Sequence, residues 1–274
     1  MKDYFGTGAD ALRDKRLWLL DMDGTIYEED RLFDGTQALL RDIRERGGRY
    51  VFITNNSSRS VTDYIRKVRG MGIEADADNF FTSVQATVLY LNEHCPGRKV
   101  YVQATRSCVA ELRAAGIDVT EEACDGIGVI LVGFDTELTF EKLRRTCELL
   151  TKLPEVPFIA CNPDLVCPVS FGFVPDCGSM CIGIEYATGR RPVYIGKPEP
   201  TMIDIVRQKF GCSREETVVV GDRLYTDIAS GNNARVATIC VLSGEATLED
   251  LKTTRDRPTY VFQSVKEVVE GLRE

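Results

Sequence analysis

The stretch Leu17-Trp18-Leu19-Leu20-Asp21-Met22-Asp23-Gly24-Thr25 constrains this chain more than any other. An apolar run closed by an acid and a glycine reads as a buried strand entering a tight turn. Residues two apart on a strand point the same way, so Asp21 and Asp23 are expected to emerge together at its C-terminal end. That edge is where open α/β sheets bind ligands. Neighbouring carboxylates repel, and a cation, a shared proton or other compensation must relieve them. A divalent metal is the obvious cation, and hard oxygen donors suit Mg²⁺. Taken alone, such a pair is more often an acidic surface turn, so the rest of the chain has to decide.

The same pattern recurs. Helical spacing over 36–46 ends at Gly47-Gly48, and Arg49 to Thr54 is a second apolar strand. Thr54 to Ser58 then sets five small polar residues between that strand and a helix reaching Arg69. Their hydroxyls, amides and backbone N–H groups make a seat for an anion, whereas N-capping needs only one of them. Further on, Val193 to Gly196 reads as a core strand ending in Lys197, with Pro198 and Pro200 opening a helix to Phe210. Thr217 to Gly221 is another apolar strand, ending in Asp222 and followed by Asp227 and a helix to Asn232. Val236 to Val241 adds a strand and Val265 to Leu272 a closing helix. This rhythm predicts an α/β fold, a Rossmann-like doubly wound parallel sheet with right-handed crossovers. Four strands then end in Asp21, Thr54, Lys197 and Asp222 on one edge.

Between them lies a second α/β series, with helices over 84–93, 105–115, 139–150 and 179–187 and strands over 99–103, 127–132 and 157–160. The expected organisation is a discontinuous core domain, 1–82 and 191–274, with an α/β domain of 83–190 inserted above the strand ends as a lid. Residues 1–15 read as a polar extension with weak helical character near Ala9 to Arg13, and 26–33 as a short loop or flap.

Bulk properties exclude several function classes. A net charge of −8 argues against a nucleic-acid binder, though not against a small anionic substrate. No apolar run approaches the roughly 20 residues that span a membrane, and residues 1–16 carry no apolar segment of a secretory signal. The ten cysteines show no CxxC spacing, so reduced thiols in the cytoplasm are expected. His94, the sole histidine, sits beside the turn signal Cys95-Pro96-Gly97, which leaves a zinc site or a Ser-His-Asp hydrolase without support.

In this order the four stations resemble the haloacid dehalogenase superfamily: Asp21-Met22-Asp23-Gly24-Thr25, Thr54-Asn55-Asn56-Ser57, Gly196-Lys197-Pro198, and Gly221-Asp222 with Asp227. The long insert resembles the type-two cap of subclass IIA, as do Val132-Gly133-Phe134-Asp135, Asn162-Pro163-Asp164 and Gly178-Ser179-Met180. Members with this look are the bacterial nucleotide and sugar phosphatases of the N-acetylglucosamine-metabolism type and 4-nitrophenylphosphatase.

The resemblance implies Asp21 as nucleophile forming an aspartyl-phosphate and Asp23 as general acid and then base. It implies Mg²⁺ held by Asp21, the Asp23 carbonyl and Asp222. Thr54, Asn55 and Asn56 are implied to hold the phosphoryl oxygens, and Lys197 to add positive charge. Gly24 and Asp227 are supporting residues, Asp227 orienting Lys197 or a metal-bound water rather than binding metal directly. Asn162, Asp164 and the 165–177 loop are expected to face the leaving group, with a plain turn as the alternative at Asn162-Pro163-Asp164.

Asp23 suits a phosphatase or mutase rather than a dehalogenase, and the large insert favours the phosphatase. The expected substrate is a small phosphomonoester: a nucleoside monophosphate, sugar phosphate or aryl phosphate. A phosphotransferase or mutase, or a non-catalytic phosphate-binding regulator on the same fold, is the alternative. Cys167-Pro168 stands where pyridoxal-phosphate members have a His before the Pro, which counts against that substrate. A homodimer is an expectation by analogy with the family's caps.

Overall fold

A computed structural model describes residues 1–169 and 171–274. Position 170, part of the 165–177 loop, lies outside the described residues. The chain divides into two compact units: Met1–Thr54, Ile65–Phe81 and Lys197–Glu274 form the first, Asn55–Tyr64 and Thr82–Gly196 the second.

The first unit is built on a six-stranded sheet in the order Tyr260–Phe262, Ala237–Val241, Thr217–Gly221, Leu17–Leu20, Arg49–Thr54, Phe80–Thr82. Leu17–Leu20 is central and pairs in parallel on both sides, Leu20 lying opposite Val220 and Phe52. Every residue of that strand is buried, which explains a continuous apolar run rather than an alternating one. The helices Thr36–Glu45 and Val265–Arg273 pack together; Leu39, Leu40 and Ile43 are buried on one and Val265, Val268, Val269 and Leu272 on the other. Each such side chain contributes roughly 1.5–3 kcal/mol by burial. The parallel α/β expectation holds.

The N-terminal extension has a structural place. Tyr4 N donates to Val261 O at 2.7 Å, and Val261 N donates to Asp3 Oδ2 at 3.2 Å. The edge strand Tyr260–Phe262 is thereby paired by residues 3 and 4 instead of being left open. Ala9 and Leu12 are buried as well, Leu12 on the single turn Asp10–Asp14.

The second unit holds a five-stranded sheet, Val193–Tyr194, Phe158–Ala160, Ile127–Val132, Lys99–Gln103, Val119–Thr120, with parallel pairs throughout. Its core gathers Tyr101, Ile130, Val132, Phe134, Leu150 and Phe158 against Cys177, Cys181 and Ile184 of the helix Cys177–Thr188. One expectation is corrected here. Val193–Tyr194 does not join the sheet of the first unit: it pairs with Ile159 and Ala160. Ile195 N and Gly196 N extend that ladder to Ala160 O and Cys161 O at 3.1 and 3.0 Å. Lys197 therefore follows an edge strand of the second sheet rather than ending a strand of the first.

The segment 165–175, read as loop, contains the antiparallel strands Val166–Val169 and Gly172–Pro175. The 26–33 loop likewise holds a small hairpin, Tyr27–Glu28 with Arg31–Leu32. No disulfide joins the described cysteines. Among the described residues no helix is long and apolar enough to cross a membrane.

Candidate active site

Past Leu20 the chain turns sharply. Thr25 N and Ile26 N donate to Met22 O at 3.2 and 2.9 Å, and Gly24 N to Tyr27 O at 2.9 Å. Gly24 has φ +86°, and a Cβ there would collide with Asp222 Oδ2, so no larger residue fits. Asp222 follows the strand Thr217–Gly221 and is held through both oxygens. Thr25 Oγ1 donates to Oδ1 at 3.0 Å and Glu245 N to Oδ2 at 2.8 Å.

The next turn, Leu224–Ile228, is widened into π geometry: Ile228 N reaches back five residues to Arg223 O at 3.2 Å. Such widened turns recur at functional sites. Arg223 N donates to Asp227 Oδ2 at 3.1 Å, and Asp227 Oδ1 accepts from Lys197 Nζ at 2.6 Å. Lys197 Nζ also donates to Asp21 Oδ1 at 2.6 Å and to Ile53 O at 3.2 Å. Three acceptors thus match the three donors of an ammonium. The side chains of Lys197 and Asp227 are 3% and 0% exposed.

Charge in this buried space is unbalanced. Asp21, Asp222 and Asp227 each place a carboxylate oxygen within 4.8 Å of the others. Burial, then the charge of Asp227, raises the Asp21 carboxyl well above the usual range, and Lys197 offsets only part of this. Asp222 is pushed up to about 6, again by burial and then by Asp227, against the pull of the Glu245 N–H. For Lys197 burial works toward the neutral form, but Asp21 and Asp227 outweigh it and hold the ammonium above the ordinary lysine range. Three carboxylates against one ammonium leave a site that a divalent cation would neutralise. Hard carboxylate oxygens are the donors Mg²⁺ takes.

Asp23 has partners of its own. Tyr27 Oη donates to its Oδ2 at 3.3 Å, and Lys67 Nζ lies 3.8 Å from its Oδ1. Sequence reasoning missed Tyr27, Lys67, Thr25 and Glu245. Tyr27 sits in what reads as loop, and Lys67 is one basic residue among several on its helix.

The remaining expected residues separate. Thr54 ends its strand and is buried. Asn55 and Asn56 fall within the second unit, where their side chains make internal bonds. Asn55 Nδ2 donates to Asp164 Oδ1 at 2.8 Å, and Asn56 Oδ1 accepts from Ser58 N and Ser58 Oγ at 3.0 and 2.6 Å. Asn162, expected to face a leaving group, is fully buried; its Nδ2 donates to Asn55 O at 2.7 Å and its Oδ1 accepts from Asp164 N at 3.0 Å. Asp164 is buried too. These contacts make the pair fasteners of the 55–58 segment, placed away from solvent.

A groove of about 540 Å³ lies elsewhere in the first unit, lined by Arg44, Arg69, Ile73, Glu74, Asp76 and Asn79. None of Asp21, Asp23, Asp222 and Asp227 lines it.

Residues 18–118 match the family model for haloacid dehalogenase-like hydrolases, and residues 194–268 match a second model for hydrolases of the same kind. The acid sugar phosphatase of Staphylococcus aureus is 31% identical over 261 residues, 95% of this chain and 99% of the relative. The crystal structure of 4-nitrophenylphosphatase from Thermotoga maritima superimposes with a TM-score of 0.90 at 38% identity, covering 96% of this chain and 99% of that one. Glycerol phosphate phosphatase from Mycobacterium tuberculosis, solved in complex with magnesium, gives 0.87 at 26% identity, covering 94% and 77%.

Proposed function

The chain belongs to the haloacid dehalogenase-like hydrolases, in subclass IIA, and on that footing we propose that it is a Mg²⁺-dependent phosphatase of small phosphomonoesters. The observation that carries this reading is the cluster of Asp21 with the buried Asp222 and Asp227, in which Lys197 bridges Asp21 and Asp227. Asp21, the Asp23 carbonyl and Asp222 would hold the ion. When bound, Mg²⁺ supplies positive charge that lets an anionic nucleophile meet an anionic phosphoryl group.

Asp21 attacks phosphorus, and the bond to the leaving oxygen breaks as Asp23 gives that oxygen its proton. Water then attacks the aspartyl-phosphate; Asp23, now a carboxylate, takes a proton from that water and the Asp21 oxygen–phosphorus bond breaks. Lys197, fixed by Asp227 and the Ile53 carbonyl, keeps its charge beside Asp21 through both steps and cannot drift. Thr54, at the end of its strand, is the side chain retained from the expected anion seat. Asn55 and Asn56 serve that seat through the loop they shape, and Asn162 and Asp164 by holding the loop.

The second unit is read as the cap, which sets substrate choice. Cysteines without a disulfide among them favour a cytoplasmic protein. A homodimer accords with the exposed Phe171, Phe173 and Tyr186 of the second unit, and sedimentation reads it directly.

The test is turnover of 4-nitrophenyl phosphate with and without EDTA, and by Asp21→Asn. Loss of activity in both arms is expected; turnover that survives both ends the reading.

A further inference from the structure

One basic side chain beside the site has no part in the reaction as described. Lys67 lies on the helix Val61–Gly70, and its side chain is 13% exposed, low for a lysine. Its ammonium sits 3.9 Å from the centroid of the Tyr27 ring, in cation–π range, and 3.8 Å from Asp23 Oδ1. Tyr27 is fully buried, and its hydroxyl donates to the other oxygen of the same carboxylate at 3.3 Å. Asp23 is therefore approached at both oxygens by one linked assembly, a tyrosine that cannot move and a lysine seated on its face. At 3.8 Å the ammonium is beyond direct hydrogen-bond distance, so it acts by field and by placement.

We propose that Lys67, seated on Tyr27, is a positioning residue that holds the Asp23 carboxyl in the orientation needed to protonate the leaving oxygen. The assignment rests on the acid–base reading of Asp23. It has a consequence that mere structural support does not share. A basic leaving group needs the proton in the transition state, whereas 4-nitrophenolate leaves well without it. kcat/KM covers only the steps through phosphoryl transfer to Asp21, so the later base role of Asp23 does not enter it.

The experiment measures kcat/KM for phenyl phosphate and 4-nitrophenyl phosphate with wild type, Lys67→Met, Lys67→Arg and Asp23→Asn. Lys67→Met keeps the aliphatic stem and removes the charge. We expect it to lose on the order of tenfold on phenyl phosphate, a part of what general acid catalysis supplies, and clearly less on 4-nitrophenyl phosphate. The loss should lie in kcat/KM, and Lys67→Arg should recover most of it. Equal losses on both substrates or no recovery by arginine overturns the assignment. Should Asp23→Asn show the leaving-group split while Lys67→Met does not, the assignment fails and the acid–base reading stands. Should Asp23→Asn itself show no split, that reading falls and the assignment falls with it.

Discussion

Asp222 shows what burial does to a single residue and how it can be measured. Its carboxyl is pushed up to about 6, because burial and the charge of Asp227 outweigh the donors at Thr25 and Glu245. An acid whose folded pKa lies above its unfolded value binds more protons when folded, so the metal-free protein loses stability as pH rises from about 4 to about 6. Mg²⁺ needs the deprotonated carboxylates, so its stabilisation should grow over the same rise. At a hundredfold excess over Kd the gain is ~2.7 kcal/mol, or roughly 5–10 °C in Tm for a chain of this size. Thermal melts with and without Mg²⁺ at pH 5 and pH 7.5 check this. A Tm increment that is equal at both, or larger at pH 5, would contradict it. That Asp21 and Asp222 follow strand ends was legible because each closes an apolar run, a signal weak alone that gains from recurring along the chain. The partners of Asp23 were not, since Tyr27 and Lys67 meet it through packing between segments distant in sequence.

At the scale of elements, long apolar strands and capped helices were readable and short elements were not. Tyr260–Phe262 has only three residues; it pairs with Ala237–Val241 on one side, and its other side is bonded by residues 3 and 4 from the far end of the chain. The strands Val166–Val169 and Gly172–Pro175 carry Pro168, Gly172 and Pro175, which break the alternation that marks a strand. Val193–Tyr194 was legible as a strand, but nothing local says which sheet it joins. The N-terminal residues offer a test at this scale. Deleting 1–15 removes two buried apolar side chains, Ala9 and Leu12, and unpairs Val261. The expected cost is roughly 2–5 kcal/mol, with aggregation through the opened edge but unchanged turnover per folded molecule. Melting and light scattering would show it; an unchanged Tm would mean that the contacts at Val261 contribute nothing.

For the whole molecule, the sequence placed one insertion in one loop, whereas residues 55–64 group with the second unit. The reason is a set of contacts no local pattern reveals. Ser83 Oγ and Asn162 Nδ2 both donate to Asn55 O at 2.7 Å, Thr105 Oγ1 donates to Ser58 O at 2.8 Å, and Val61 N donates to Glu111 Oε2 at 3.0 Å. Asn162→Ala should accordingly destabilise the protein by about 1–3 kcal/mol, the penalty of unsatisfied buried groups. The ratio of kcat/KM between two substrates should stay constant; a changed ratio with an unchanged Tm would instead favour a substrate-binding role for Asn162.

All of this serves one chemical claim, that the phosphoryl group passes through Asp21. Rapid quench of a turnover mixture, borohydride reduction and peptide mass spectrometry test it directly. The account predicts that Asp21 is recovered as homoserine in the wild type with Mg²⁺ and substrate, and that no peptide is reduced in Asp21→Asn. Reduction at a different acid, or full turnover by Asp21→Asn with no trapped residue, would contradict it.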